Sequence, residues 1–387
     1  MRSTSLDLTA ADVVADPYPF FAQERRHGGF AWHEQSKCYL TFDHAGANAV
    51  LRDRRLGRIW ADREPADRFE PFNLLHRNQM MENEPPVHTR LRRLVVGAFS
   101  RGHVERLRPR VRELAEQLLG NVDASGFDVV AEYAEPLPVL VIAELLGVDS
   151  ALAPRLRSWS QDIVRMYEVA PDDDVQRAAV RSASEFADTI RDLVRRRAAE
   201  PADDLVSDLV AAREGGARLS EDEVVASAVL LLNAGHEASV NVFGNGLVSM
   251  LRQDVRPATD QVTACVEEML RFDSALQLFE RTATEPVTIG TLALQPGQRV
   301  AALLGAANRD PSVFADPDSF RPERDPNPHL AFGAGLHFCV GAPLARMELV
   351  ESLGLLLRRM PRLSLVAEPV SRGTFVLRGY RSVAVGS

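Results

Sequence analysis

The sequence predicts a mainly α protein with a minor β region. Three observations carry that expectation: a capping box ahead of a long apolar-rich run, helical periodicity over much of the chain, and a few short β-type stretches. Ser220-Glu221-Asp222-Glu223 has the form of the capping box, and the run behind it continues to Leu251. A helix of about 31 residues spans roughly 46 Å at 1.5 Å per residue, enough to cross a whole domain. Helical patterning also covers residues 101–119, 136–146, 175–199 and 262–271, and a further helix begins near Ala342-Pro343. Strand signals fall at residues 38–42, 287–294, 299–304, 363–366 and 381–385. No Gly/Ser- or Pro-rich linker divides the 387 residues and no fixed-period repeat is present, so a single domain over 1–387 is expected.

Composition narrows the class. Apolar residues make up 45% of the chain and charged residues 26%, ample for a sizeable core. The polar stretch from Met1 to Val13 predicts neither a secretory signal nor a membrane anchor. Cys38, Cys265 and Cys339 are odd in number and widely spaced, which fits neither a disulfide framework nor a zinc site. A cytoplasmic location is therefore expected. The formal charge of −9 argues against nucleic acid and anionic membrane as partners.

One of those cysteines stands in an unusual loop, Phe332-Gly333-Ala334-Gly335-Leu336-His337-Phe338-Cys339-Val340-Gly341. Backbone N–H groups and a helix N-terminus beside Cys339 are expected to lower its pKa and keep it anionic. Phe338 and Val340 are expected to exclude water from the sulfur, and the glycines let a flat ligand approach the backbone. A free cysteine is more often a buried apolar thiol. The pattern Phe332-x-x-Gly335-x-His337-x-Cys339-x-Gly341-x-x-x-Ala345-Arg346 reverses that reading, because it fixes seven positions over fifteen residues. These are the needs of a thiolate that ligates heme iron and favours O–O cleavage.

The loop resembles the heme-binding loop of the cytochrome P450 family. That resemblance implies the cytochrome P450 fold, a triangular helical prism around heme b (iron protoporphyrin IX). Cys339 would be the metal ligand, with Phe332, His337 and Gly341 against the cofactor. The long helix carries a second segment, Asn233-Ala234-Gly235-His236-Glu237-Ala238-Ser239. A glycine inside a helix costs about 1 kcal/mol relative to alanine, so its presence needs a reason. Close approach of a flat cofactor and close helix packing are both available. The segment resembles the family's oxygen-activation segment, which places Ala234 and Gly235 at the heme and Glu237, Ala238 and Ser239 in the catalytic region.

The family pattern there is Ala-Gly-x-Glu/Asp-Thr-Thr/Ser, whereas this chain has Ala238 at the first threonine position. That threonine holds a water and relays protons, which an alanine methyl cannot do. Ser239 lies one step of about 100° around the helix, so its hydroxyl should face elsewhere. Some family members that hydroxylate macrolides share the alanine, a substrate hydroxyl there ordering the water. Substrate-assisted proton delivery is therefore expected, with Glu237 linking the pocket to bulk water. An oxidation that tolerates a weak relay, such as radical coupling, is the alternative.

Other positions follow from the same resemblance. Glu268-x-x-Arg271 and Arg324 match a buried structural network that holds the segment carrying the heme loop. His88, Arg92 and Arg281 match donors to the heme propionates, with His337 completing the set. Wall segments for a largely apolar substrate are residues 60–75, 163–169, 231–238, 276–279 and 374–377, with Gln277 as a polar handle. Arg63 and Arg68 are expected to be solvated.

The implied activity is a heme-thiolate monooxygenase of the type that tailors secondary metabolites, including antibiotics. A macrolide or other polyketide is the first choice of substrate, with peptidic and aromatic natural products open. No flavin or iron–sulfur motif is fused to the chain, so electrons are expected from a ferredoxin and its reductase. Arg92, Arg93, Arg101, Arg106, Arg108, Arg110 and Arg346 are candidates for the docking face. A non-catalytic partner-binding relative is the competing class. Such helpers tend to lose the cysteine, and here it is intact.

Overall fold

The structure, a computed structural model, describes residues 2–96, 101–213, 216 and 218–387, without the side chains of residues 101–103. Nine helices of ten or more residues lie among them. They are α1 (Ala66–Arg77), α2 (Val87–Val96), α3 (Arg101–Gly120), α4 (Pro136–Leu146), α5 (Ala153–Val164), α6 (Asp173–Ala199), α7 (Glu221–Arg252), α8 (Val262–Phe272) and α9 (Ala342–Arg359). One six-stranded sheet is built from β1 (Ser3–Thr4), β2 (Phe30–His33), β3 (Cys38–Thr41), β4 (Leu56–Gly57), β5 (Leu278–Ala283) and β6 (Arg299–Leu303). Its spatial order is β1-β2-β3-β6-β5-β4. Phe127–Asp128, Ser364–Leu365 and Ala384–Gly386 form a second, smaller sheet.

Helix α7 is the axis of the molecule. Its start is the predicted capping box: Glu223 N–H donates to the Ser220 hydroxyl at 3.2 Å, and Ser220 N–H donates back to the Glu223 carboxylate at 2.8 Å. Behind the cap the helix is buried almost all round, which is the signature of a core helix rather than an amphipathic surface one. Gly246 lets α8 pack closely, since a Cβ there would stand 2.4 Å from the Met269 side chain. The largest hydrophobic cluster packs the helices around α7, and two smaller ones lie on the sheet.

The β region departs from expectation in three places. The 287–294 stretch breaks into a hairpin, Val287–Ile289 and Leu292–Leu294, at Gly290 with φ +56°. The 381–385 stretch splits into Tyr380–Ser382 and Ala384–Gly386, which belong to different sheets. Strand β5 has little alternation to announce it, and Arg281 sits within it rather than at its start.

The path of the chain between β6 and the cysteine loop is irregular, and a buried ion network holds it. Glu268 and Arg271 on α8 are fully buried and bidentate, at 2.8 and 2.6 Å. Arg271 also donates to the carbonyls of Asn308, Pro317 and Ser319 at 2.8, 3.0 and 3.3 Å. Arg324 reaches Glu268 at 3.3 Å and donates to the Ala315 and Asp316 carbonyls. Neighbouring Glu267 binds Arg346 at 2.6 and 2.9 Å and His329 at 3.0 Å, so α8 also grips α9 and the approach to the loop. Burial opposes ionisation of Glu267, but His329 and Arg346 hold its carboxyl down at about 2.

Removing one partner of a buried pair leaves an uncompensated charge, at a cost of about 3–5 kcal/mol. We predict that Arg271→Met lowers the unfolding free energy by that order in denaturant titration. A change under about 1 kcal/mol, the scale of a surface pair, would mean that the network is not needed.

Candidate active site

Cys339 lies just before α9, whose first turn begins at Gly341 and Ala342. The Cys339 N–H donates to the Phe332 carbonyl at 3.0 Å, which closes the loop into a hairpin-like bend. Gly335 is required there: its φ is +70°, and a Cβ would meet the Leu51 carbonyl oxygen at 2.5 Å. Arg346, one α-helical turn further on, lies 4.5 Å over the Phe332 ring. At Gly341 a Cβ would meet only the Cys339 sulfur, at 3.9 Å, so this face of the backbone is open.

Two expectations about the sulfur are corrected. Burial pushes the Cys339 thiol up, and the opposing Gly341 N–H, Arg92, Ala342 N–H and Arg346 do not reverse it. The helix N-terminus is in place but loses to desolvation. An anionic sulfur therefore needs the metal, because a coordinating thiol is deprotonated by the ion itself. Phe338 is 41% exposed, so it cannot shield the sulfur as expected.

A ring of cationic and neutral donors stands beside this loop. His88 on α2 is 1% exposed, and both its ring nitrogens are buried without a hydrogen-bond partner among the described residues. Burial, then His337 and Arg92, hold it at about 4, so it is a neutral imidazole. The His88 and His337 rings are 4.5 Å apart. Arg92 donates to the Phe338 carbonyl at 2.8 Å. Arg281 is 3% exposed and donates to the Glu280 carbonyl, and burial and Arg58 push it down to about 9. Among the described residues neither Arg281 nor Arg92 pairs with a carboxylate. Donors without a carboxylate partner, buried at His88 and Arg281 and half-buried at Arg92, suit anionic carboxylates, which heme b carries as its propionates. The residues therefore fit the group. His337 is the exception in the set, because Glu84 holds its Nε2 at 2.8 Å.

Across α7, Ala234 is exposed and Gly235 and Ala238 are half-exposed, although the residues around them are buried. This small-residue stripe is the open face of the helix. The Cβ direction of Gly235 points at Ile142 on α4, 3.2 Å away, so close helix packing is a reason for that glycine. Ser239 is 9% exposed and turned into the protein. Glu237 is 2% exposed; Arg372 donates to its Oε2 at 2.9 Å, while Oε1 has no partner. Burial raises its pKa, Arg372 opposes this and Glu135 reinforces it. Glu237 is thus enclosed rather than open to bulk water.

The substrate walls are only partly as expected. Gln277 is fully buried, donates to the Ser274 carbonyl at 2.6 Å and abuts Gly305, so it is a core residue and not a polar handle. Phe375 and Val376 pack into the N-terminal cluster with Phe21. Arg63 is not solvated: it lies 5.7 Å over Phe72 and donates to the Met166 carbonyl at 3.2 Å. Arg68 pairs with Asp173. His76 is stacked between Trp60 and Phe72, with ring centroids at 4.4 and 4.1 Å. Glu168 lies inside the expected wall segment 163–169, but sequence reasoning missed its tie to another: its carboxylate accepts the N–H groups of Phe375, Val376 and Leu377 at 2.9–3.0 Å. It joins the segment before α6 to the C-terminal wall, and nothing near Glu168 in the sequence signals it.

Fold and loop together define the class of heme-thiolate proteins. The Cytochrome P450 family profile matches residues 256–361. The 6-deoxyerythronolide B hydroxylase of Saccharopolyspora erythraea is 41% identical over 363 residues, 88% of each chain. Cytochrome P450 monooxygenase PikC of Streptomyces venezuelae is 36% identical, covering 94% of this chain and 89% of its own. The solved structure of P450BioI in complex with hexadec-9Z-enoic acid ligated acyl carrier protein superposes with a TM-score of 0.92 at 30% identity, covering 98% and 100%. The chain belongs to the cytochrome P450 family. It is a cytochrome P450 monooxygenase with heme b as its cofactor.

If Arg281 holds a propionate, losing its charge-assisted bond costs about 1.5–3 kcal/mol, tenfold or more in retention. Arg281→Gln is predicted to speed heme transfer to excess apomyoglobin by about that factor, with His88→Phe acting in the same direction. Transfer at the wild-type rate in both variants would rule these residues out as propionate donors.

Proposed function

We propose that this monooxygenase hydroxylates, or otherwise oxidises, a largely apolar natural product of the polyketide or macrolide type, within a single catalytic domain over residues 1–387. The observation that carries the reading is the 41% identity to 6-deoxyerythronolide B hydroxylase, combined with Ala238 on the open face of α7. When bound, the heme supplies dioxygen reduction, in which two electrons and two protons leave one oxygen atom in water and one in the substrate.

The protein's own residues would do the rest. Cys339 is proposed as the iron ligand, with Phe332 and Gly341 against the same face. His88, Arg92 and Arg281 would hold the propionates, and Ala234, Gly235 and Ala238 would keep the opposite face clear. Glu237 would hold the proton at Oε1, because Arg372 occupies Oε2. At Ala238 the side chain has neither donor nor acceptor, so a hydroxyl on the substrate would have to order the last water. Buried, unpaired Cys38 and Cys265 accord with the proposed cytoplasmic location.

Ferredoxin, with its reductase, is the proposed electron source. The docking face is smaller than the sequence suggested. Arg108 pairs with Glu105 and Glu351, Arg110 with Glu113 and Glu144, and Arg346 with Glu267. The Arg101 side chain lies outside the described residues. Half-exposed Arg92 and exposed Arg106 lie outside those pairs.

A panel of macrolactones titrated against the heme-loaded enzyme should shift the Soret band, and the best binder should turn over. With that substrate and its analogue lacking the nearby hydroxyl, wild type should couple reductant to product well only on the first. Ala238→Thr should recover coupling on the analogue. Equal coupling of wild type on both would refute substrate assistance, and no shift with any macrolactone would refute the substrate class. Reduction by ferredoxin should slow as salt is raised; a rate insensitive to ionic strength would count against an arginine-built docking face.

A further inference from the structure

Behind the open face of α7 lies a buried group of charges that neither the cofactor nor the substrate walls use. His236 is 0% exposed, Glu237 2% and Glu135, which precedes α4, 3%. The His236 ring stands between the two carboxylates: Nδ1 is 3.6 Å from Glu237 Oε1 and Nε2 is 4.0 Å from Glu135 Oε1. Two of these atoms, His236 Nε2 and Glu237 Oε1, are buried with no hydrogen-bond partner. The other oxygens are committed. Arg372 holds Glu237 Oε2 at 2.9 Å, Arg157 holds Glu135 Oε2 at 2.6 Å, and Gln161 donates to Glu135 Oε1. Arg157, on α5, is 42% exposed, so the chain of contacts ends at the surface.

We propose that His236 is a proton-relay residue, carrying protons from the Glu135–Arg157 edge to Glu237 Oε1. The geometry is directional. Glu237 flanks the open stripe, and His236, one residue earlier on the helix, points away from it. The imidazole bridges the cavity-side acid and the surface-side acid. Each link is about 1 Å longer than a hydrogen bond, a gap that a small ring swing or one water closes.

The step balances as a single proton transfer. Bulk water at the exposed Arg157 edge first protonates Glu135, because the guanidinium itself does not release a proton; the O–H bond at Glu135 then breaks as N–H forms at Nε2. The N–H at Nδ1 breaks as O–H forms at Glu237, and a ring flip restores the first tautomer. No electron moves. Four other groups face the ring or its partners: Arg372, Arg157, Gln161 and the Ser160 hydroxyl, 3.5 Å from Nδ1. Burial, then Arg372 and Arg157, lower the imidazole to about 3. It therefore works as a neutral ring that accepts at one nitrogen while releasing at the other, and no imidazolium has to persist. The three ligand-type side chains lie close enough to hold a metal ion. Each carboxylate, however, already carries a guanidinium, so a cation would meet two like charges. The relay is the better use of the cluster.

The inference deepens the proton-delivery reading above, and it can fail separately from it. His236→Phe fills the space, His236→Gln keeps a polar side chain that does not titrate, and Glu135→Gln removes the outer acid. All three are prepared heme-loaded, with the reduced carbon monoxide spectrum reporting an intact thiolate site. In substrate-free enzyme, infrared spectroscopy in deuterium oxide follows the carboxyl band that Glu237→Gln abolishes. Its exchange should slow about tenfold or more in each variant, within the range of general acid–base contributions. With the best-binding macrolactone, product formed per reductant consumed should fall and peroxide release should rise, while the Soret titration is unchanged. Double His236→Gln/Glu135→Gln should be no worse than either single, as for residues in one path. Wild-type exchange and coupling in His236→Gln would overturn the relay, even if His236→Phe is impaired. Equal coupling of wild type on hydroxylated and deoxy substrates would sink substrate assistance and leave the relay standing.

Discussion

The buried pair of Glu268 and Arg271 is the constraint on which the rest of the structure depends. Two ions with no exposed surface are costly to desolvate, and only a full set of hydrogen bonds offsets that cost. Here Arg271 and Arg324 spend their donors on carbonyls of the irregular segment from Asn308 to Ser319. Backbone groups that no helix or strand satisfies are satisfied by the ions, and the ions by the backbone. Glu267 extends the same helix to His329 and Arg346, on either side of the cysteine loop. The loop can therefore be irregular and rich in glycine, yet hold one position.

A firm loop does not by itself make a reactive sulfur. In this chain the environment of Cys339 favours the neutral thiol, because burial outweighs the N–H groups and arginines around it. The donors on the propionate side show the complementary imbalance. Arg281 is a buried cation pushed down toward neutrality, and His88 keeps two nitrogens without partners. One dianionic, iron-bearing group would correct both if Cys339 is its metal ligand and the donors hold its propionates, as proposed. On that reading the polar cost at these residues would be offset by the cofactor, and cofactor binding would contribute to stability.

How far the sequence could be read follows from how each feature is encoded. The cysteine loop, the capping box of α7 and the Glu268–Arg271 spacing are local, so a short window shows them. Strand β5 and helices α1 and α5 rest on packing against distant elements, and Pro71 within α1 blurs its periodicity further. The site is harder again. Glu168 meets residues 375–377 and Arg372 meets Glu237, contacts separated by more than 130 positions. Gln277 looked like a polar handle because it is polar among apolar neighbours, but Gly305 leaves room for it in the core. Charge alone misled in the same way at Arg63 and along the docking face, where a cation in the sequence turned out to have a partner in space.

Those long-range contacts also explain what Ala238 removes and what it leaves. An alanine on the open face of α7 deletes a hydroxyl only at the last step before the heme. The acid beside it keeps its guanidinium on Oε2, its free Oε1 and the imidazole behind it. In the proposed relay, delivery as far as Glu237 would be built into the protein, through His236 on the buried side of the helix. Delivery beyond it would not be, because the described residues on the open face of the helix, Ala234, Gly235 and Ala238, carry no side-chain donor or acceptor. The helix divides the task by face. On the proposed reading, a substrate that brings its own hydroxyl would complete the path, and one that lacks it would leave the proton supply a single water short.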